Sequence, residues 1–177
     1  HEQPTQAILD MTSLQEKFGY LNGLKVGIVG DISHSRVALS NMHGLITMGA
    51  EVTLCGPATL IPPHIKELGV QVNYNIDEVI EWADALNVLR IQMERMGVSL
   101  FPSIREYRSL FGITTERLTK HKKEIVIMHP GPMNEGIEIS NSIAHGGSSV
   151  IEDQVTNGVA VRMALLYQTT IGAVQES

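Results

Sequence analysis

The sequence holds a single cysteine, Cys55. An internal disulfide is therefore excluded, and no thiolate cluster exists to hold zinc or iron–sulfur. Cys55 ends the run "EVTLC", where a small buried strand residue is expected. The seven histidines are scattered, and neither H-x-H nor H-E-x-x-H occurs, so no metal site is expected. No G-x-S-x-G marks a nucleophilic serine. No G-x-G-x-x-G marks a dinucleotide loop either; "GIVGDISHSR" (27–36) offers only Gly27 and Gly30, a pattern equally suited to tight strand-to-helix packing. The expected cofactor complement is none. Apolar runs fall short of the roughly 18 residues a membrane span needs. No leader-like segment opens the chain, so a cytoplasmic protein with no membrane partner is expected. Positive charge is scarce, with 13 Lys and Arg against 19 Asp and Glu and a formal net charge of −6. That balance argues against nucleic acid as a partner. An acidic protein that binds anions must gather its few arginines locally, so each arginine is worth individual inspection.

What is present is a regular alternation. Apolar runs at 24–30, 51–55, 70–74, 84–90 and 124–129 read as short buried strands. Between and around them, 4–18, 34–49, 62–69, 76–83, 103–112, 114–121 and 151–171 read as helices. Pro4 and Gly19 bracket the first of these as start and stop signals. Residues 91–102 read as a loop. Strands alternating with helices predict an α/β fold, a parallel sheet with helices on both faces, in one domain spanning 1–177. The helix signal comes at once after His1, so the chain is expected to be a piece of a longer protein.

In such sheets ligands bind beyond the carboxyl ends of the strands. Three segments fall there: "GDISHSR", "RIQMER" and "HPGPMNEG". Arg36 lies about one turn into the helix that follows the first strand; it either reaches back over the strand end or is a solvated surface arginine. Arg90 ends an apolar strand, and Gln92 shares its side in extended chain. A guanidinium there suits a carboxylate through two parallel bonds, or makes an ordinary ion pair. "PTQ" (4–6) opens a helix, whose free N–H groups favour anions, and Gln6 could meet a ligand amide or carbonyl. His129 reads as a structural hydrogen-bonding residue rather than a base. The two prolines around Gly131 make "HPGPMNEG" a stiff loop.

Together these segments resemble the carbamoyltransferase family, on its aspartate-acting side. The carrying motifs are "PTQAILDM", "VGDISHSRVALSN", "LRIQMER", "MHPGPMNEGIEI" and "NGVAVRMALLY", in order and across essentially the whole chain. The resemblance implies a Rossmann-like aspartate-binding domain plus two interdomain helices, about 4–18 and 151–171. The carbamoyl phosphate domain and its S-T-R-T motif are absent from this sequence. The implied reaction moves a carbamoyl group from carbamoyl phosphate to the amine of L-aspartate, as in pyrimidine biosynthesis. It gives N-carbamoyl-L-aspartate and phosphate and needs no metal or cofactor. By the same resemblance Arg36 and Arg90 clamp the two carboxylates of aspartate, with Gln92 assisting. Gln6 contacts the carbamoyl group, and the backbone of Gly131 with Pro132 lines the site. The family is built on homotrimers.

Two positions depart from the family pattern. Gln3 stands where a histidine bonds the carbamoyl oxygen; an amide can donate to that oxygen but cannot become cationic. Glu135 stands where an arginine is common, and its effect depends on whether it faces the anionic site or a neighbouring surface. Both departures would also suit a non-catalytic binding or scaffold paralogue. The ornithine-acting branch carries "HCLP" in place of "HPGP", and a second carboxylate-suited arginine at Arg90 favours aspartate. By itself the 177-residue chain is expected to make no N-carbamoyl-L-aspartate. Appearance of that product from the purified chain, in a colorimetric ureido assay, would overturn the expectation.

Overall fold

The computed structural model describes residues 3–91, 103–121 and 123–175, with side chains to residue 170. Five of the apolar runs form strands: β1 (Lys25–Val29), β2 (Glu51–Cys55), β3 (Gln71–Asn73), β4 (Ala85–Val88) and β5 (Val126–Met128). They build one sheet in the order β3-β2-β1-β4-β5, with every neighbouring pair parallel. Val26 of β1 sits opposite Val52 of β2 on one side and Ala85 of β4 on the other. The chain leaves β1 toward one edge and returns through β4 toward the other. The order therefore reverses between β1 and β4, where such sheets open a crevice.

Local signals set the helices. α1 (Pro4–Phe18) starts on a proline, whose missing N–H costs nothing there, and stops at Gly19 with φ of 80°. α2 (Arg36–Thr47) is capped by Ser35, whose hydroxyl accepts the Ala38 N–H at 3.1 Å. α3 (Ile76–Trp82) and α4 (Ile104–Phe111) are capped in the same way by Asn75 and Ser103. α5 (Thr115–His121), the short α6 (Asn141–Ala144) and the long α7 (Ile151–Gln175) complete the set.

Alternating strand residues feed two cores, one on each face of the sheet. Val26, Ile28, Val52 and Leu54 meet Leu14 of α1 and Met42 and Leu45 of α2. On the other face Val29, Cys55, Leu86 and Val88 meet Val79 and Ile80 of α3 and Tyr107 and Phe111 of α4. Burial pushes the Cys55 thiol up to about 12, which keeps it protonated and inert. The α/β sandwich expected from the alternation is the fold observed. No helix among the described residues is long and apolar enough to cross a membrane.

The differences are local. The helix expected over 62–69 is a 3₁₀ turn confined to Ile65–Leu68, because His64 takes a left-handed φ of 63° that interrupts any helix from Pro62. A second 3₁₀ turn, Ala58–Leu60, and α6 carry too few residues to show a period. α7 continues past 171 to Gln175. The expected loop falls at 92–102 outside the described residues.

Gly27 explains how tightly α3 seats on the sheet. A β-carbon there would come within 2.7 Å of Leu86 Cδ2 and 2.8 Å of Val79 Cγ1. Gly27→Ala is therefore expected to lower the unfolding free energy by about 1–3 kcal/mol, as overpacking does. Urea denaturation with an unchanged midpoint would show that α3 can retreat freely.

Candidate active site

The ends of β1, β4 and β5 and the starts of α1 and α2 surround a cleft of about 250 Å³. Gln3, His34, Ser35, Arg36, Val37, Arg90, Pro130, Gly131 and Pro132 line it. Five of the residues singled out in the sequence thus converge: Gln3, Arg36, Arg90, Gly131 and Pro132. Among the described residues no carboxylate appears in this lining, although the chain as a whole is acidic.

Each wall has a structural reason. After β1 the buried Asp31 accepts both the backbone N–H of His34, at 3.2 Å, and its ring Nδ1, at 2.9 Å. That turn delivers Ser35 as the α2 cap and places Arg36 in the first turn of the helix. Three residues of one helix start therefore face the cleft, with its outward N–H groups and the positive end of its dipole. Arg90 lies two residues past the end of β4 and is half-buried. Gln3 joins from α1, pinned by its N–H to Ser40 Oγ of α2 at 2.9 Å.

The third wall is the loop after β5. Its Gly131 has φ of 64°, open to glycine, and the Gly131–Pro132 bond is cis. The Gly131 N–H donates to Nδ1 of the buried His129 at 2.9 Å. Nε2 of that ring is then the protonated nitrogen, facing Glu138 Oε1 at 3.3 Å. Glu138 also accepts the Asn134 N–H at 2.6 Å, while Asn134 Nδ2 donates to the Ile91 carbonyl at 2.7 Å. The loop is thus fastened beside Arg90, and His129 serves structure, as read from the sequence. Glu135 does not line the cleft: it is 42% exposed and its Oε1 lies 3.6 Å from His145 Nε2.

Gln6 sits one turn behind Gln3, nearly buried, outside the lining. Its Nε2 donates to Asp10 Oδ1 at 2.8 Å. Asp10 is the centre of a network that local sequence reading passes over. Gln154 Nε2 of α7 reaches the same oxygen at 2.8 Å, and Asn41 of α2 and Asn87 of β4 reach Oδ2 at 2.6 and 3.1 Å. Gln154 Oε1 in turn accepts the His129 N–H at 3.0 Å. The available signal was a carboxylate one turn beyond Gln6 on the apolar side of α1. Gln92 lies outside the described residues. No group of three or more metal-ligating side chains occurs among the described residues.

Comparison with known proteins places these features in context. A family model described as the Asp/Orn-binding domain of aspartate/ornithine carbamoyltransferase matches residues 22–169. The chain is 58% identical over 173 residues to the aspartate carbamoyltransferase catalytic subunit of Moorella thermoacetica, covering 98% of this chain and 56% of that protein. Its fold superposes on aspartate transcarbamoylase from Trypanosoma cruzi in complex with carbamoyl phosphate, with a TM-score of 0.82 at 26% identity. That match covers 94% of this chain and 55% of the other. Ornithine carbamoyltransferase from Thermus thermophilus matches with a TM-score of 0.79 at 27% identity, over 94% of this chain and 55% of that one. The chain spans about half the length of the curated relatives it matches.

Burial raises the Asp10 pKa above the ordinary 3.8, against the pull of four amide donors. The folded chain therefore keeps the Asp10 proton to higher pH than the unfolded chain. The stability from this group is fully present below pH 3.8 and is lost as pH rises through the folded pKa. Asp10→Asn does not titrate. The stability of the wild type relative to that variant is expected to fall as pH climbs from 3.8, read by denaturant titration at each pH. A difference that stays level with pH would contradict the assignment.

Proposed function

Because the chain belongs to the aspartate/ornithine carbamoyltransferase family, through its Asp/Orn-binding domain, we propose that it supplies the aspartate-binding part of an aspartate carbamoyltransferase. The complete protein would transfer a carbamoyl group from carbamoyl phosphate to L-aspartate, in pyrimidine biosynthesis. The observation that carries this reading is the charge of the cleft: Arg36, Arg90 and the α2 N-terminus, with no carboxylate among the described residues of the lining. Two guanidiniums suit a ligand with two carboxylates, and the cationic side chain of ornithine would meet the same charge unfavourably.

In this reading Arg36 and Arg90 each hold one aspartate carboxylate, Gln92 assists, and the backbone at Gly131 and Pro132 orients the amine. The amine attacks the carbamoyl carbon, a tetrahedral centre forms, phosphate leaves with the C–O bond electrons, and one amine proton is released. Gln3 donates to the carbamoyl oxygen as charge builds there, and Gln6 contacts the same group. Orientation of two anions and stabilisation of developing charge supply the rate. Glu135, turned toward His145, leaves the charge of the cleft unaltered, which favours an active enzyme over a scaffold paralogue.

The remaining half of the complete protein would hold carbamoyl phosphate. Its supporting surface here is a stripe along α7, where Val155, Val159, Met163, Leu166 and Tyr167 are each between 60% and 70% exposed. Such a stripe calls for a partner. We assign α7 as an interdomain helix on this basis, and α1 as the second such helix and a homotrimer on the family resemblance.

In the full-length protein Arg90→Ala is expected to cost about 2–5 kcal/mol in kcat/KM for aspartate, because a desolvated carboxylate loses its partner. Steady-state kinetics at varied aspartate check this. Unchanged saturation by aspartate would point to another acceptor.

A further inference from the structure

An amide side chain is nearly symmetric in shape, yet one end donates and the other accepts. Which end of Gln6 faces a ligand is decided behind it. Four amide N–H groups are directed at Asp10, an arrangement that suits its ionised, acceptor-only form, and against that form Gln6 must turn its Nε2 inward to reach Oδ1 at 2.8 Å. Flipping the amide would set two acceptors face to face in a buried setting, losing one hydrogen bond and adding repulsion. Asp10 has no freedom to swing aside. Gln154 holds the same oxygen at 2.8 Å, and Asn41 and Asn87 hold the other. Each oxygen takes two N–H groups, which fills the carboxylate.

The consequence appears at the outward end. Gln6 Oε1 receives no hydrogen bond from the described residues, and Gln6 lies on the Gln3 side of α1, one turn from the cleft lining. The side chain thus presents an acceptor. Gln154 follows the same rule: its Nε2 is taken by Asp10, and its freed Oε1 holds the N–H of His129 at the head of the third wall.

We propose that Asp10 is a positioning residue that fixes the polarity of the Gln6 amide, and through it selects a donor group carrying an N–H. This rests on the carbamoyl-transfer reading, in which Gln6 meets the transferred group. A carbamoyl group offers an NH2 to the Gln6 carbonyl, whereas an acetyl group of similar shape offers a methyl. The carbonyl rewards the first and is left unpaired by the second.

The test uses the full-length protein, L-aspartate, and carbamoyl phosphate or acetyl phosphate as competing donors. Their products are N-carbamoyl- or N-acetyl-aspartate, with phosphate released in both cases. The readout is the ratio of kcat/KM for the two donors. Asp10→Leu frees Gln6 to turn its NH2 outward, and the ratio is expected to fall by about tenfold or more, the worth of one buried hydrogen bond. Asn41→Leu removes a different N–H from Asp10 and leaves Gln6 tied; its ratio is expected to stay at the wild-type value even as the protein unfolds earlier. If circular dichroism shows Asp10→Leu unfolded, Asp10→Ala, which likewise removes both acceptor oxygens, is read the same way. A folded Asp10 variant that loses activity equally with both donors overturns the proposal, since a merely structural residue would do that. An active wild type separates this failure from that of the underlying reading. A wild type that transfers neither group overturns the carbamoyl-transfer reading, and the proposal with it.

Discussion

One buried carboxylate organises this domain. Asp10 is 2% exposed and receives four amide N–H groups. An ionised carboxylate removed from water is costly unless its lone pairs are filled, and here every donor is a neutral amide. The donors come from α1, α2, β4 and α7, so the requirement to satisfy one side chain fixes how four elements meet. α2 brings Arg36, β4 leads into Arg90, and α7 holds His129 through Gln154. The cleft inherits its geometry from the network beneath it.

The cleft itself solves a charge problem. The chain carries a formal net charge of −6, yet a site for anions needs a locally positive field. Under the proposed reading, Arg36, Arg90 and the start of α2 provide it, while the carboxylates described around the cleft are turned to other partners. Asp31 is engaged by His34, Glu138 by the loop after β5, and Glu135 faces His145. Among the described residues, these three carboxylates thus stay outside the cleft lining, each held by a partner within the fold. The reversed charge at Glu135 is compatible with this arrangement because of where the loop points it.

Much of this was legible in the sequence because it is written locally. Apolar runs gave the strands, Pro4 and Gly19 gave the ends of the first helix, and strand ends gave Arg36, Arg90 and Gly131. What escaped is written at a distance. "PTQAILDM" shows Asp10 as one polar residue in an amphipathic helix. Nothing nearby reveals that Asn41, Asn87 and Gln154 arrive from 31, 77 and 144 residues away. The 3₁₀ turn at Ile65–Leu68 escaped for a different reason: a left-handed His64 is a backbone choice that composition does not announce. The direction of Glu135 was open for the same reason, since a loop residue's facing follows from the whole fold.

The pairing of the first and last long helices has a consequence in time. α1 and α7 touch through Asp10 and Gln154, and again where Asn157 donates to Ser13 and Glu16, across 144 and 141 residues. During synthesis the face of α1 that carries Asp10 therefore waits, its polar atoms in water, until nearly the entire domain has left the ribosome. Contacts this remote in sequence bear the full entropy of closing the chain and form late. The buried polar centre is thus a final latch, and a domain whose carboxyl end is missing or delayed holds its sheet without the element that locks the site.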